Sequence, residues 1–159
     1  MTTGQIGRAN EIDPLVEWAV FGHLDRKTDL ELILLKGHLL LETILETALK
    51  RNDIKNLDNY SFHRKIIAFE SIDFKDKLRQ EIIVSSLREI NKLRNKLAHE
   101  FHFDISNGDF ELWAFKILDN LKGEKFSKYT FRTKIVHSFS VLTKNILELQ
   151  TLEDDKNYR

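Results

Sequence analysis

The stretch Glu81-Ile82-Ile83-Val84-Ser85-Ser86-Leu87-Arg88-Glu89-Ile90-Asn91-Lys92-Leu93-Arg94-Asn95-Lys96-Leu97-Ala98-His99-Glu100-Phe101 decides how this chain is read. Ile83, Leu87, Ile90, Leu97 and Phe101 recur at three- and four-residue spacing, which marks one face of a helix. At 100° per residue, Ile83, Arg94, Leu97 and Phe101 lie within roughly 40° of Ile90. Arg94 therefore falls on the apolar face. A charge facing a core needs a partner and hydrogen bonds, and an ordinary amphipathic helix places Leu or Ile there. A misplaced cation, then the polar Asn95, then His99 near the helix end, together mark a candidate site.

Working outward, the rest of the chain is also helical in pattern. One proline and six glycines in 159 residues leave little turn punctuation for a β-rich fold. Asp13-Pro14 reads as an N-cap and first helical position, opening a helix to about Phe21. Thr28-Asp29-Leu30-Glu31 reads as a capping box that opens a long helix to about Lys50, with Ile33, Gly37, Leu40, Leu41, Ile44, Leu45 and Ala48 inward. After a polar connection, Ser61 caps a short helix from Phe62 to about Glu70, and another begins near Phe74. Ser106-Asn107-Gly108-Asp109 is the clearest turn, with Asp109 capping a helix to Leu121. Ser127 precedes a last long helix to about Leu152. The expected fold is all-α: an antiparallel bundle with three long helices, near 28–50, 76–101 and 128–152, and shorter helices packed on them. A single domain over residues 1–152 is expected, with a frayed charged tail over 153–159.

Twenty-five basic and 25 acidic residues cancel, so no global field draws the chain onto nucleic acid or an acidic membrane. Any nucleic-acid contact has to come from a local patch. The absence of cysteine excludes disulfides, thiolate zinc sites and cysteine nucleophiles. The start, Met1-Thr2-Thr3-Gly4-Gln5, has no basic segment followed by an apolar run, and Lys36, His38 and Glu42 interrupt the longest apolar stretches. These features predict a cytoplasmic protein without a membrane span.

Spacing alone gives the Arg94/His99 pair little weight. With nine arginines and six histidines, about one accidental match to arginine, four to six residues, histidine is expected in a chain of this length. Arg132-Thr133-Lys134-Ile135-Val136-His137 is such a match. The context of Arg94 differs: a polar residue follows it, the helix ends near it, and its setting is apolar. The stretch Arg94-Asn95-x-x-Ala98-His99 resembles the signature of the HEPN superfamily, small all-helical domains found largely in prokaryotic defence and toxin systems. The upstream Phe62-x-x-Lys65-Ile66 helix and the helix order agree with it.

The resemblance implies a metal-independent endoribonuclease, a toxin or defence effector, with a composite active site at a homodimer cleft. Carried over, Arg94 would bind the scissile phosphate and stabilise the transition state. His99 would move a proton at the ribose 2′-hydroxyl or the leaving oxygen, and Asn95 would orient one or the other. No cofactor or metal is implied; the partners are RNA, a second copy and a protein antitoxin. Relatives silenced by a nucleotidyltransferase antitoxin often carry a tyrosine two residues after the histidine, where this chain has Phe101. Other relatives, such as mannitol-operon repressor-like proteins, share the scaffold without established nuclease activity. The alternative is therefore a non-catalytic regulator or binding module holding a nucleotide or a protein partner.

Several neighbours complete the candidate site. Arg88, Lys92 and Lys96 form either a phosphate-tracking rim or a solvated face with Glu89 and Glu100 as counter-charges. His102 is a further substrate-binding candidate. Glu42, flanked by the inward Leu41 and Leu45, is a candidate ion-pair partner anchoring Arg94. His38 and Glu42, four apart, lack a third metal ligand. Trp18 and Trp113 read as core or interface.

Overall fold

The computed structural model describes residues 14–25, 29–123 and 130–152. Six helices form: α1 (Pro14–Asp25), α2 (Leu30–Arg51), α3 (Phe62–Glu70), α4 (Lys77–His99), α5 (Asp109–Asn120) and α6 (Phe131–Glu148). Short 3₁₀ turns at Leu57–Asn59 and Ile105–Asn107 join them. The expected all-α bundle is the observed one.

Local chemistry sets the helix starts. Ser61 Oγ accepts from the Arg64 amide and opens α3 as expected. The start of α2 is capped by Asp29, whose carboxylate accepts from the Glu31 amide at 2.9 Å, and Thr28 lies outside the described residues. Phe74 does not begin α4. It forms an isolated bridge with Thr151, and Asp76 caps the helix three residues later through the Arg79 amide. Asp109 is the first helical residue rather than the cap, because Gly108 at φ 103° makes the turn and Asn107 Oδ1 accepts the Asp109 amide at 2.9 Å. Thr130 caps α6 through the Thr133 amide. Asp13, Ser127 and the tail 153–159 lie outside the described residues.

Helix α6 is the axis of the bundle. Residues 135–143 along it are buried without a break, which fits a helix wrapped by others rather than one with a solvent face. Helices α1, α2 and α5 pack on it. Phe139 is its central side chain, tilted against Trp113 with ring centroids 4.8 Å apart and edge-on to Phe110. Gly37 of α2 exists for that ring: a Cβ there would sit 2.4 Å from Phe139 Cε1. Trp113 Nε1–H donates to the Ser86 carbonyl of α4 at 2.9 Å, so one tryptophan ties α5, α6 and α4 together. Trp18, by contrast, is about half exposed.

Helix α4 lies on the other side of α2 and runs antiparallel to it and to α3. Gln80 Nε2 at its start donates to the Phe69, Glu70 and Ile72 carbonyls at the end of α3. Asn91, three turns further on, meets His38 of α2. Ile83, Leu87 and Ile90 are fully buried, Leu93 nearly so, and Leu97 only partly. The apolar stripe fades because α4 outruns the helices it packs on. Phe101, expected inward, is 95% exposed beyond the helix end.

Candidate functional site

The last three turns of α4 form one wall of an open groove of about 540 Å³. Arg88, Asn91, Lys92, Asn95, Lys96, His99 and Glu100 line it, and His63 from the first turn of α3 faces them. The residues fall in two rows. Arg88, Lys92 and Lys96 are spaced by four, as are Asn91, Asn95 and His99, and four-residue neighbours share a helix face. The first row is cationic and the second can donate and accept hydrogen bonds. Lys92 and Lys96, with Arg88 shared by Glu70 of α3, stand against the carboxylate of Glu100, so a neutral chain carries a local positive patch. The carbonyl end of α4 is itself partly negative, so side chains, not the helix, supply any attraction for an anion here.

Arg94 lies at the rim of this groove rather than in its lining. Its Nη1 donates to Asn95 Oδ1 at 3.2 Å, and its side chain is half-buried on the flank towards α2. This is the placement expected for residues about 140° from His99 around the helix. The guanidinium connects with the groove through Asn95. Among the described residues no carboxylate pairs with Arg94.

The anchoring carboxylate expected from Glu42 is engaged elsewhere. Lys65 of α3, buried to 4% exposure, donates from Nζ to Glu42 at 2.7 Å and to Glu46 at 2.6 Å. Burial works against the Lys65 charge, but the two carboxylates outweigh it and raise its pKa above the usual lysine value. The same pairing holds the Glu46 carboxyl below its ordinary range. Two glutamates one turn apart on α2 match one buried lysine better than an arginine at the far end of α4.

His38 supports the groove from behind. It is 4% exposed, its ring tilts against Phe62 with centroids 4.3 Å apart, and its Nε2 lies 3.1 Å from Asn91 Oδ1. Burial lowers the His38 pKa below 6.5; the Asn91 hydrogen bond opposes this in part, the Arg94 charge adds to it and Glu42 opposes it. The neutral ring therefore holds Asn91, and Asn91 presents its remaining polar atoms to the groove.

Of the residues expected at the site, the groove gathers Asn95, His99, Arg88 and Lys96, with Arg94 beside them. Arg88 is shared, since its guanidinium also pairs with Glu70 of α3. His102 is not in the lining; it stacks edge-on to Phe101 with centroids 5.1 Å apart. His63 and the His38–Asn91 pair were not expected. Asn91 had a signal, because it stands four residues before Asn95, but His63 had none, since nothing in its own turn tells which neighbour it faces. Among the described residues no three of His, Asp and Glu cluster as a metal site. No helix there is long and apolar enough to cross a membrane. No protein-family model, curated protein or solved structure matches this chain.

Proposed function

We propose that this chain is a metal-independent endoribonuclease of the HEPN type, a toxin or defence effector that acts as a homodimer. One observation carries the reading: His99 and Asn95 share a cation-lined groove with Arg88, Lys92 and Lys96, and Arg94 at its rim is bonded to Asn95 while pairing with no carboxylate among the described residues. A half-buried guanidinium without an anionic partner is suited to an incoming phosphate.

RNA carries its own nucleophile, so proton transfer and charge stabilisation suffice. The ribose 2′-oxygen attacks phosphorus while a histidine takes its proton, the bond from phosphorus to the 5′-oxygen breaks, and that oxygen receives a proton. The products are a 2′,3′-cyclic phosphate and a 5′-hydroxyl. His99 is the proton-transfer group in this scheme and Arg94 stabilises charge on the phosphoryl oxygens. In one chain Arg94 only borders the groove, and a second copy would bring another Arg94 and His99 to the seam. Leu32, Leu35 and Leu39, exposed along one side of α2, offer an apolar strip for such a seam. A protein antitoxin would be a further partner, and Phe101 offers no hydroxyl for nucleotidylation at its position.

The test is cleavage of single-stranded RNA by EDTA-treated protein, with products carrying cyclic phosphate ends. Intact RNA at micromolar folded protein, together with harmless expression in cells, overturns the proposal. The absence of Arg94 from the lining of the groove favours one second reading, a non-catalytic module that holds a nucleotide or a protein partner. A thermal shift with nucleotides and no cleavage would select it.

A further inference from the structure

We propose that the groove on α4 holds a short single strand of RNA lengthwise along the helix, with a footprint of about three nucleotides set by the helical repeat. The choice of RNA rests on the ribonuclease reading; the lengthwise track rests on the groove itself. Arg88, Lys92 and Lys96 rise along the axis by about 6 Å per step, four residues at 1.5 Å each. That step is comparable to the separation of successive phosphates along one strand. The parallel row of Asn91, Asn95 and His99 faces the same space, where amides and an imidazole can bond sugars and base edges. Phosphates lie on the cationic row, and sugars and bases lie over the amide row towards His63.

Both ends of the track are marked by charge. Beyond Arg88 the cationic row ends: the next hollow on α4 carries Glu70 and Glu81 against Lys77, and Glu70 already pairs with Arg88. At the other end Glu100 follows His99. A strand lying between α4 and the start of α3 can reach both rows and His63. His63 shares the groove lining with Asn91, Asn95 and His99. In this arrangement His63 binds the strand from α3, and proton transfer stays with His99 on α4.

The experiment uses the full chain and a fluorescein-labelled nine-nucleotide 2′-O-methyl RNA, which lacks the attacking hydroxyl and survives any cleavage. Anisotropy titrations across salt concentration should give a log–log slope of about −2 for three phosphate contacts. Lys92→Ala, at an exposed position, should weaken binding several-fold and reduce the slope by about 0.7, with Lys92→Arg restoring both. His63→Ala should weaken binding. Lys122→Ala, an exposed position after α5 beside the start of α4, should change nothing, and the same sequence as a duplex should bind at least tenfold more weakly. Absence of binding at low salt, equal binding of the duplex, or equal losses in Lys92→Ala and Lys122→Ala would each overturn the lengthwise track. Strand binding without cleavage of unmodified RNA removes the ribonuclease and keeps the track. Cleavage with undiminished binding in Lys92→Ala does the reverse.

Discussion

Two helices of this protein carry an arginine followed five residues later by a histidine, and the fold treats them in opposite ways. In α6 the histidine of Arg132/His137 is 2% exposed. It lies edge-on to Phe21, with Ser140 Oγ 3.4 Å from its Nδ1. In α4 His99 is solvent-exposed in the final turn and opens onto a groove. The spacing is identical and the surroundings are not. A histidine on a helix face covered by its neighbours becomes part of the core, whereas one on a helix that outruns its neighbours stays available for chemistry.

Substitutions at the two sites break or sharpen this contrast most directly. His99→Ala should lower RNA cleavage at least ~100-fold and Arg94→Ala by ~100- to 1,000-fold, with thermal midpoints near that of the parent in both. His137→Ala should do the opposite: a stability loss of about 1–3 kcal/mol and unchanged specific activity in the folded fraction. Cleavage lost with His137 but retained without His99, measured on protein of verified folding, would reverse the assignment.

Packing around α6 supplies the next largest effect. Gly37→Ala places a methyl against the Phe139 ring, which Trp113 and Phe110 hold in place. Overpacking of this kind costs about 1–3 kcal/mol, visible as a lower urea midpoint. Ala at the exposed Ser85 of α4 should leave the midpoint unchanged within about 0.5 kcal/mol. Equal effects at the two positions would remove the distinction between wrapped and protruding helices.

His38 gives a smaller, pH-dependent effect. Its folded pKa is depressed, so the unfolded chain takes up a proton near pH 6.5 while the folded chain does so only at lower pH. The unfolded state then binds more protons, and stability contributed by the neutral ring is full above pH 6.5 and falls as pH drops through the folded value. His38→Gln, which keeps a donor for Asn91, should flatten this acid limb in urea titrations between about pH 7.5 and pH 5.5. A limb of unchanged slope would show that another group controls it. The smallest effect is expected at Arg88 and Glu70, both about half exposed. Glu70→Gln should alter stability by less than about 1 kcal/mol while strengthening strand binding, because it frees Arg88 for a phosphate.

Much of the helical architecture was legible in the residues. Caps, turns and apolar spacing together located the helices, and Ser61 marked a boundary correctly because a cap is a local hydrogen bond. Boundaries went astray where the deciding contact was distant or the turn admitted two solutions. Phe74 is drawn into a bridge with Thr151, and Gly108 rather than Asp109 turns the chain into α5. The site was legible on α4 alone. Asn95, Lys96, His99 and Arg88 share neighbouring faces of one helix, so their common exposure follows from helical geometry.

What lies across from α4 came from tertiary packing. Lys65 claims Glu42 and Glu46, His38 holds Asn91 from behind, and His63 closes the groove. Each of these depends on how α2 and α3 pack against α4, and a period of 3.6 residues says which face a side chain occupies but not which helix meets it. The sequence by itself determined the helices, the neutral overall charge and the peculiarity of Arg94 on an apolar stripe. Only the tertiary structure decided that α6 is wrapped and α4 protrudes, because burial belongs to the neighbours of a helix, and that decision separates His137 in the core from His99 at the groove.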